Sequence, residues 1–302
     1  MRNTTKHNGG PTVMLVGMGR SGSTWLWECL GNHPDVFVPT WKELNYFSHS
    51  FLRGVSYAQY LDNFIPATGE PPASIRMEFS VAYSRLSGSQ IRCIKRLYPK
   101  LQLILLLRHP INRAWSGAHR SLGRRKNLNN LSEWRLFLFF QLYWKHKYGE
   151  SYHEIITKWS KVFGPERLLV ITKDEIDADK VSVLKRICLY IGADAEIDAG
   201  VFESDREINK SKNAAISSRA IPRSVEWFLA RKYLRMIKKT NTLLDGKLDA
   251  WVESLRVQSQ GGCFAWHVMA CSTFVVAIPR NLVFLALSRF RIIAFNLVKP
   301  GS

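Results

Sequence analysis

The stretch from Gly17 to Thr24 constrains the fold of this chain more than any other segment. It follows an apolar, β-prone run at 12–16 and opens a run at 24–30 that favours a helix. A glycine-rich turn between a buried strand and a helix N-terminus gathers backbone N–H groups and the positive end of the helix dipole on one side. The sequence therefore predicts a strand–loop–helix unit that binds phosphate.

The loop departs at one position from the pattern of nucleoside triphosphatases. Gly17 through Thr24 fits G-x-x-x-x-G-K-[ST], except that Ser23 stands where the lysine belongs. In such enzymes that lysine contacts the β- and γ-phosphates. Arg20, the cation of this loop, comes earlier in the sequence. We therefore expect the loop to hold a phosphate without the device that grips a triphosphate.

A second candidate anion site follows the next strong strand. The apolar run 101–107 leads directly into Arg108, and Pro110 suits the first turn of a helix because its missing N–H costs nothing there. Ser116 lies two turns into that helix. Because arginine offers a charged fork and serine a directional hydroxyl, Arg108 and Ser116 are expected to converge on one anion.

Together these two elements resemble the sulfotransferases that use 3′-phosphoadenosine 5′-phosphosulfate (PAPS) as donor. The loop is similar to the [RK]-x-G-[ST]-[ST] segment of that family, and the strand–Arg–x–Pro–helix–Ser unit is similar to its second element. The resemblance implies that the loop binds the 5′-phosphosulfate and the second element the 3′-phosphate. The residues that it assigns to the donor are Gly19, Arg20, Ser21, Gly22, Ser23, Thr24, Trp25, Arg108 and Ser116.

The segment 41–47 resembles the K-E-x-x-[FY]-F stretch of the glycan-modifying branch, notably the heparan sulfate sulfotransferases. The resemblance implies that Glu43 is the general base. Lys42 is placed to stabilise the leaving group, and Arg20 completes the predicted catalytic set. His49 and His119 remain rival bases, because an imidazole titrates near neutral pH.

Other segments resemble the family less closely. Residues 77–83 are similar to its G-E-K-S-P-x-Y stretch, but Phe79 and Val81 replace the lysine and the proline. Residues 168–176 resemble a late strand followed by an acidic turn, and this match is also partial. These departures leave the role of both segments open.

Two basic loops are further candidates for contact with a ligand. The loop 120–126 is either a lid over an anionic ligand or a solvated surface loop. Lys210 and Lys212 lie in a polar loop that family members place over the nucleotide, so the resemblance makes them candidates as well.

Alternating strands and helices predict an α/β protein with a P-loop-type three-layer fold, in which helices flank a central parallel sheet. We expect strands at 12–16, 101–107 and 167–172, helices at 22–31, 110–121, 134–144, 150–163, 178–192 and 219–239, and a mixture of loops and short helices over 33–100. The expected organisation is a disordered basic N-terminus at 1–10, a sulfotransferase domain at 11–255 and an apolar-basic helical C-terminal extension at 256–302.

The charge of the chain narrows the choice of partners. Lysine and arginine number 43 against 24 acidic residues, giving a net charge of +19. This excess favours an anionic partner, such as a nucleotide, a glycan or glycolipid acceptor, or an anionic membrane surface. No nucleic-acid-binding signature is present, so we expect no nucleic acid partner. The spacing of cysteines and histidines shows no ligand pattern, so we expect no metal.

The two ends of the chain bear on its location. Residues 1–10 lack an apolar core, so we expect neither a signal peptide nor an N-terminal anchor, and a cytoplasmic protein. The run 263–279 contains no Asp, Glu, Lys or Arg, but it is shorter than the roughly 20 residues of a membrane span. The extension either packs on the domain or in a homodimer, or lies peripherally on the inner face of an anionic membrane.

The sequence is compatible with three functions. The leading hypothesis is transfer of the sulfuryl group of PAPS to a hydroxyl or amine of a glycan or glycolipid, by in-line displacement with a carboxylate base, releasing 3′,5′-ADP. A P-loop kinase or nucleotidase is the first alternative, although the missing loop lysine counts against it. The second is a non-catalytic protein that binds membranes or polyanions on the same scaffold.

Overall fold

A computed structural model describes residues 9–50, 54–66, 73–123, 131–143, 149–196 and 219–260. Several sequence predictions lie outside these residues and stay predictions: most of the N-terminal segment 1–10, the loop residues 124–126, Lys210 and Lys212, and nearly all of the C-terminal extension, at 261–302.

The centre of the molecule is a five-stranded sheet in which every pairing is parallel. Its strands are β1 (Val13–Gly17), β2 (Val36–Phe37), β3 (Ile75–Phe79), β4 (Gln102–Leu107) and β5 (Leu168–Thr172), in the order β2-β3-β1-β4-β5. Val13 in β1 is paired with Met77 on one side and with Gln102 on the other. β1 is buried throughout, which suits an unbroken apolar strand covered on both faces.

Helices flank this sheet, as the sequence predicts. They are α1 (Ser23–Gly31), α2 (Tyr57–Asp62), α3 (Gly88–Leu97), α4 (Pro110–Gly123), α5 (Glu133–Tyr143), α6 (Tyr152–Phe163), α7 (Lys173–Ala178), α8 (Lys180–Ile191), α9 (Arg223–Leu243) and α10 (Asp249–Gln260). A π-helical turn (Tyr46–Ser50) and 3₁₀ turns (Val81–Arg85 and Pro165–Arg167) join some of them.

One core cluster packs the sheet against α1 and α8. Val13 and Leu15 of β1 belong to it, whereas Met14 and Val16 are equally buried but do not. This alternation places the two pairs on opposite faces of the sheet, because side chains of a strand point to alternate sides. From the helices the cluster takes Leu26, Cys29 and Leu30 of α1 and Val183, Leu184, Ile187, Cys188 and Ile191 of α8.

The topology creates a crevice at the ends of β1 and β4. The chain leaves β1 through α1 towards β2 at one edge of the sheet, and it leaves β4 towards β5 at the other edge. Neighbouring parallel strands whose connections diverge in this way leave a crevice at their carboxyl ends, where such folds bind ligands. Both predicted phosphate elements start at this point, one after Gly17 and one at Arg108.

The expected strands at 12–16, 101–107 and 167–172 are present, within a residue or two at their ends. The expectation for 33–100 was incomplete, because β2 and β3 also lie in that region. The sequence did not predict β3, because Arg76 and Glu78 interrupt its apolar pattern. The expected helix 178–192 is α8, preceded by the separate helix α7, because Asp179 ends α7 and caps α8. The expected loop at 120–126 begins later, since α4 continues through Gly123.

Candidate active site

The predicted phosphate loop leads from β1 into α1 as expected. Gly22 is the N-cap of α1 and has a φ of 103°. A Cβ at Gly22 would find ordinary space, 3.5 Å from its nearest neighbours, so the positive φ rather than crowding calls for glycine. The first turn of α1 contains no acidic residue. Its N–H groups and positive dipole end therefore face outward without a local counter-charge.

The two predicted phosphate elements meet at Arg20. The Nε of Arg20 donates a hydrogen bond of 2.9 Å to Oγ of Ser116, a residue 96 positions away in the sequence. Nη1 of Arg108 donates to the backbone carbonyl of Arg20 at 3.1 Å. Arg20 itself has a positive φ of 72°. The loop after β1 and the unit after β4 thus form one cationic surface.

This surface carries positive charge that its described neighbours offset only in part, since the charges of Asp177 and Asp174 act on Arg108. Within the described residues, neither Arg20 nor Arg108 forms a salt bridge with a carboxylate. Burial lowers the pKa of Arg20, and the charges of Arg120 and Arg108 lower it further. Burial also lowers the pKa of Arg108. Since cations held together disfavour one another, an anion bound between them relieves the repulsion.

Lys42 supplies the lysine that the loop lacks. Its Nζ donates to Oγ of Ser23 at 2.9 Å and to Oγ1 of Thr24 at 3.0 Å. Burial lowers the pKa of Lys42, and Arg120 and Arg20 act in the same direction, although Glu43 opposes them. The cation at the helix N-terminus therefore comes from a separate segment of the chain.

Glu43 lies beside Lys42 at the end of β3. Its Oε1 is 4.0 Å from Nζ of Lys42, and its Oε2 accepts a 3.1 Å hydrogen bond from the backbone N–H of Val81. The side chain is 33% exposed. Burial raises the pKa of Glu43, while Lys42 and the Val81 N–H partly oppose this shift. A partly exposed carboxylate with a raised pKa is suited to accept a proton.

The two rival histidines differ from Glu43 in their surroundings. His49 is exposed, and its Nδ1 shares a 2.8 Å hydrogen bond with Oγ of Ser48. His119 is only 5% exposed and packs edge-on against Trp115. Burial lowers the pKa of His119, with Arg20 and Arg219 adding to the effect. His119 is therefore neutral near pH 7, but its buried ring offers little surface to an acceptor.

Three other predicted donor residues of this loop differ from Arg20, Ser23 and Thr24 in their side-chain surroundings. Trp25 is partly buried and packs against the core rather than joining the cations. Ser21 is fully buried, and its Oγ has no hydrogen-bond partner in the described part of the chain. A Cβ at Gly19 would contact the side chain of Val81 at 3.5 Å. The structure thus brings Arg20, Ser23 and Thr24 of this loop to the site through their side chains.

Arg120 is a site residue that sequence reasoning placed in a loop. It is exposed near the end of α4, and its charge acts on Arg20, Lys42 and Glu43. The available signal was the periodicity of α4, because Arg120 follows Ser116 by about one helical turn.

The described residues contain neither a metal site nor a membrane-spanning helix. They contain no group of three or more His, Cys, Asp or Glu side chains arranged to hold a metal ion. They also contain no helix that is long and apolar enough to cross a membrane. The expectations about metal and membrane contact stay predictions.

The fold places Arg20 and Arg108 at the switch point of a parallel sheet, where β1 and β4 end. Residues 10–235, more than half of the chain, match the sulfotransferase domain family. The chain therefore belongs to that family, which confirms the prediction made from the two phosphate elements.

Known relatives and solved structures agree with this assignment. The chain is 24% identical over 258 residues to the bifunctional heparan sulfate N-deacetylase/N-sulfotransferase 1 of Caenorhabditis briggsae, covering 78% of this chain and 28% of that protein. It is 23% identical over 186 residues to the heparan sulfate glucosamine 3-O-sulfotransferase 3A1 of Mus musculus, covering 60% and 46%. The chain thus spans from about a quarter to about half of the length of these relatives.

The fold itself recurs in a solved structure. A sulfotransferase from Alicyclobacillus acidocaldarius superposes with a TM-score of 0.62 at 20% identity, covering 80% of this chain and 98% of that one. The predicted fold class, a parallel sheet flanked by helices in the P-loop manner, is confirmed.

Proposed function

We propose that this protein transfers the sulfuryl group of PAPS to a hydroxyl or amine of a glycan. The observation that carries the proposal is the 2.9 Å contact between Arg20 and Ser116, which joins the two predicted phosphate elements into one surface. PAPS has anionic groups at both its 5′ and 3′ positions. A surface built from two phosphate elements matches such a donor better than it matches a nucleotide with phosphates on one side only.

The residues of this surface divide between the two ends of the donor. The N-terminus of α1, with Arg20, Ser23 and Thr24, is the proposed site of the 5′-phosphosulfate. Arg108 and Ser116 are the proposed site of the 3′-phosphate. Burial lowers the pKa of both arginines, and the charges of Arg120 and Arg108 lower the pKa of Arg20 further, whereas Asp177 and Asp174 partly offset the shift of Arg108. An anionic donor bound between the arginines would favour their charged forms.

PAPS supplies an activated sulfuryl group whose bond to the 5′-phosphate breaks as the acceptor oxygen or nitrogen forms its bond to sulfur. Glu43 takes the acceptor proton. Lys42, hydrogen-bonded to Ser23 and Thr24, stabilises the charge that remains on the phosphate of 3′,5′-ADP. Orientation and charge stabilisation contribute most of the catalysis in such a transfer.

Exposure supports Glu43 over His119 as the base. The carboxylate is 33% exposed beside Lys42, whereas the imidazole of His119 is almost completely buried. A base has to reach the proton that it removes, so geometry takes precedence over intrinsic pKa. His49 is exposed but hydrogen-bonded to Ser48, and within the described residues no contact joins it to Arg20, Lys42 or Arg108.

A glycan acceptor is proposed from the relatives and from charge. Several relatives carry the names of heparan sulfate glucosamine sulfotransferases. The segment around Lys42 and Glu43 resembles the same branch, and a net charge of +19 favours an anionic polysaccharide. A glycolipid acceptor, a homodimer, peripheral membrane contact through 256–302 and a cytoplasmic location stay predictions.

The test is a transfer assay on the purified full chain. PAPS is offered with partly desulfated heparan oligosaccharides that have free amines or free hydroxyls, and with glycolipids as a second panel. The expected result is stoichiometric formation of 3′,5′-ADP and of an acceptor that gains one sulfuryl group by mass spectrometry. Magnesium-dependent consumption of ATP without any use of PAPS would instead support the kinase alternative.

A further inference from the structure

A buried carboxylate at the end of β3 has no part in the proposed reaction. Glu78 is fully buried, and three hydroxyl groups donate hydrogen bonds to it. The distances are 2.5 Å from Tyr60, 2.8 Å from Ser80 and 2.5 Å from Tyr83. A buried carboxylate with several donors constrains them strongly, because leaving it unsatisfied is costly.

Two of these hydroxyls also hold the segment that carries Glu43. Oγ of Ser80 accepts a 3.0 Å hydrogen bond from the backbone N–H of Asn45. The hydroxyl of Tyr83 accepts one of 3.3 Å from the backbone N–H of Phe47. A hydroxyl has only one proton to donate. Because Glu78 receives that proton, each hydroxyl presents a lone pair to the segment.

The same part of the chain contacts Glu43 directly. The N–H of Glu43 donates to the carbonyl of Phe79 at 2.9 Å, and the N–H of Val81 donates to the Glu43 carboxylate at 3.1 Å. Both contacts use backbone groups of 79 and 81. The side-chain departures from the family pattern at these two positions therefore leave the contacts in place.

We propose that Glu78 is a positioning residue, which orients Ser80 and Tyr83 so that they fix residues 43–47 and aim Glu43 at the acceptor. The effect on catalysis rests on the proposed function of Glu43, whereas the effect on the segment does not.

Glu78→Gln tests the proposal with almost no change in shape. The new side chain is uncharged and carries an NH2 donor, so the hydrogen bonds from Ser80 and Tyr83 lose their charge assistance and at least one of the three hydroxyls has to reverse. We expect faster hydrogen–deuterium exchange at the backbone amides of Asn45 and Phe47. We also expect kcat to fall by roughly 100-fold, as for a displaced catalytic group, with 3′,5′-ADP affinity unchanged.

Two tyrosine variants provide a matched pair, and they carry the test if Glu78→Gln does not fold. Tyr60→Phe and Tyr83→Phe each remove one hydroxyl that donates to Glu78, but only the hydroxyl of Tyr83 also accepts from the segment. We expect Tyr83→Phe to increase exchange at Phe47 and to lower kcat. Tyr60→Phe should change both much less, even where the two variants lose similar thermal stability.

Either of two results would contradict the proposed positioning role of Glu78. Unchanged exchange in Glu78→Gln, or equal effects of the two tyrosine variants, would overturn the proposal. A wild-type protein that binds no 3′,5′-ADP would overturn the proposed function instead, and the exchange data would still decide whether Glu78 holds the segment.

Discussion

The donor side and the base side of the site are built in opposite ways. On the donor side, Arg20 and Arg108 carry positive charges that no carboxylate of the described residues neutralises by a salt bridge. On the base side, backbone groups of Phe79 and Val81 hold Glu43, and the hydroxyls around Glu78 hold the rest of its segment. The donor side leaves its charge available to a ligand, whereas the base side fixes geometry through hydrogen bonds within the protein.

Because the two sides are built differently, substitutions on each side should change a different measured quantity. Changes on the donor side should weaken nucleotide binding, because they remove charge that the ligand needs. Changes on the base side should lower turnover at unchanged nucleotide affinity, because they remove or displace the group that takes the proton.

The largest effect is expected at Glu43. Glu43→Gln should reduce kcat by roughly 10²- to 10⁴-fold, the usual contribution of a general base, and leave 3′,5′-ADP affinity intact. Because burial raises the pKa of Glu43, wild-type kcat/KM should rise with pH as this carboxyl ionises, and the variant should lack that rise. Steady-state kinetics across pH checks both points.

Glu28→Gln is the matched control for this variant, since Glu28 also acts electrostatically on Lys42 but lies on α1. It should retain turnover. If Glu43→Gln keeps its turnover as well, the base is another group, and His119→Ala becomes the next variant to measure.

Arg108→Ala should produce the next largest effect, this time on affinity. Loss of a charge-assisted hydrogen bond costs about 1.5–3 kcal/mol, so 3′,5′-ADP should bind roughly 10- to 100-fold more weakly. The affinity for 5′-AMP, which lacks the 3′-phosphate, should change little. Arg167→Ala is the control, because Arg167 precedes β5 at the amino ends of the strands, away from the carboxyl end where Arg108 lies, and contacts the carbonyl of Lys100. Equal losses for both nucleotides would contradict a 3′-phosphate role.

Ser116→Ala should give a smaller loss on the same side. A neutral hydrogen bond contributes about 0.5–1.5 kcal/mol, which corresponds to a loss of roughly 2- to 10-fold in 3′,5′-ADP affinity. The variant also frees Arg20 from its 2.9 Å contact. Calorimetry of Ser116→Ala alone and combined with Arg108→Ala measures whether the two residues act as a unit, and strictly additive losses would argue against a shared phosphate.

The smallest effect is expected at Glu175, which contacts Arg186 of α8 and Lys247. Burial tends to raise the pKa of this carboxyl, but hydrogen bonds from Thr172, Arg186 and Lys247 outweigh burial and hold the pKa at about 2. A lowered pKa contributes stability above the ordinary value of 4.5, and this contribution is lost as the pH falls towards about 2. Glu175→Gln should therefore lower stability by about 1 kcal/mol at pH 7. Urea titrations from pH 7 downward should show the difference from wild type shrinking, and a constant difference would contradict this account.

The donor side was largely predictable because each of its two motifs is a contiguous stretch of sequence. The apolar runs of β1 and β4 each lead straight into a short polar motif, and parallel strands bring their carboxyl ends together. The sequence was enough to expect Arg20 in one phosphate site and Arg108 with Ser116 in a second. The direct contact between Arg20 and Ser116 was not predictable, because it depends on how the side chains of residues 96 positions apart pack in the fold.

The base side was predicted only in part, and the reason is physical. Glu43 was found through a local resemblance, but its supports come from β3, whose pattern is interrupted by Arg76 and Glu78. In sequence, Glu78 looks like an exposed carboxylate. Its burial is tolerated because the hydroxyls of Tyr60 and Tyr83 donate hydrogen bonds to it. The spacing of these residues in the sequence does not predict that they are in contact.

The most direct test of the central claim is calorimetric titration of the purified full chain with 3′,5′-ADP, with 5′-AMP and ATP as controls. The account predicts tight binding of 3′,5′-ADP and much weaker binding of the other two nucleotides, because only 3′,5′-ADP engages both Arg20 and Arg108. Equal affinity for 3′,5′-ADP and 5′-AMP, or preferential binding of ATP, would contradict the assignment of the donor site.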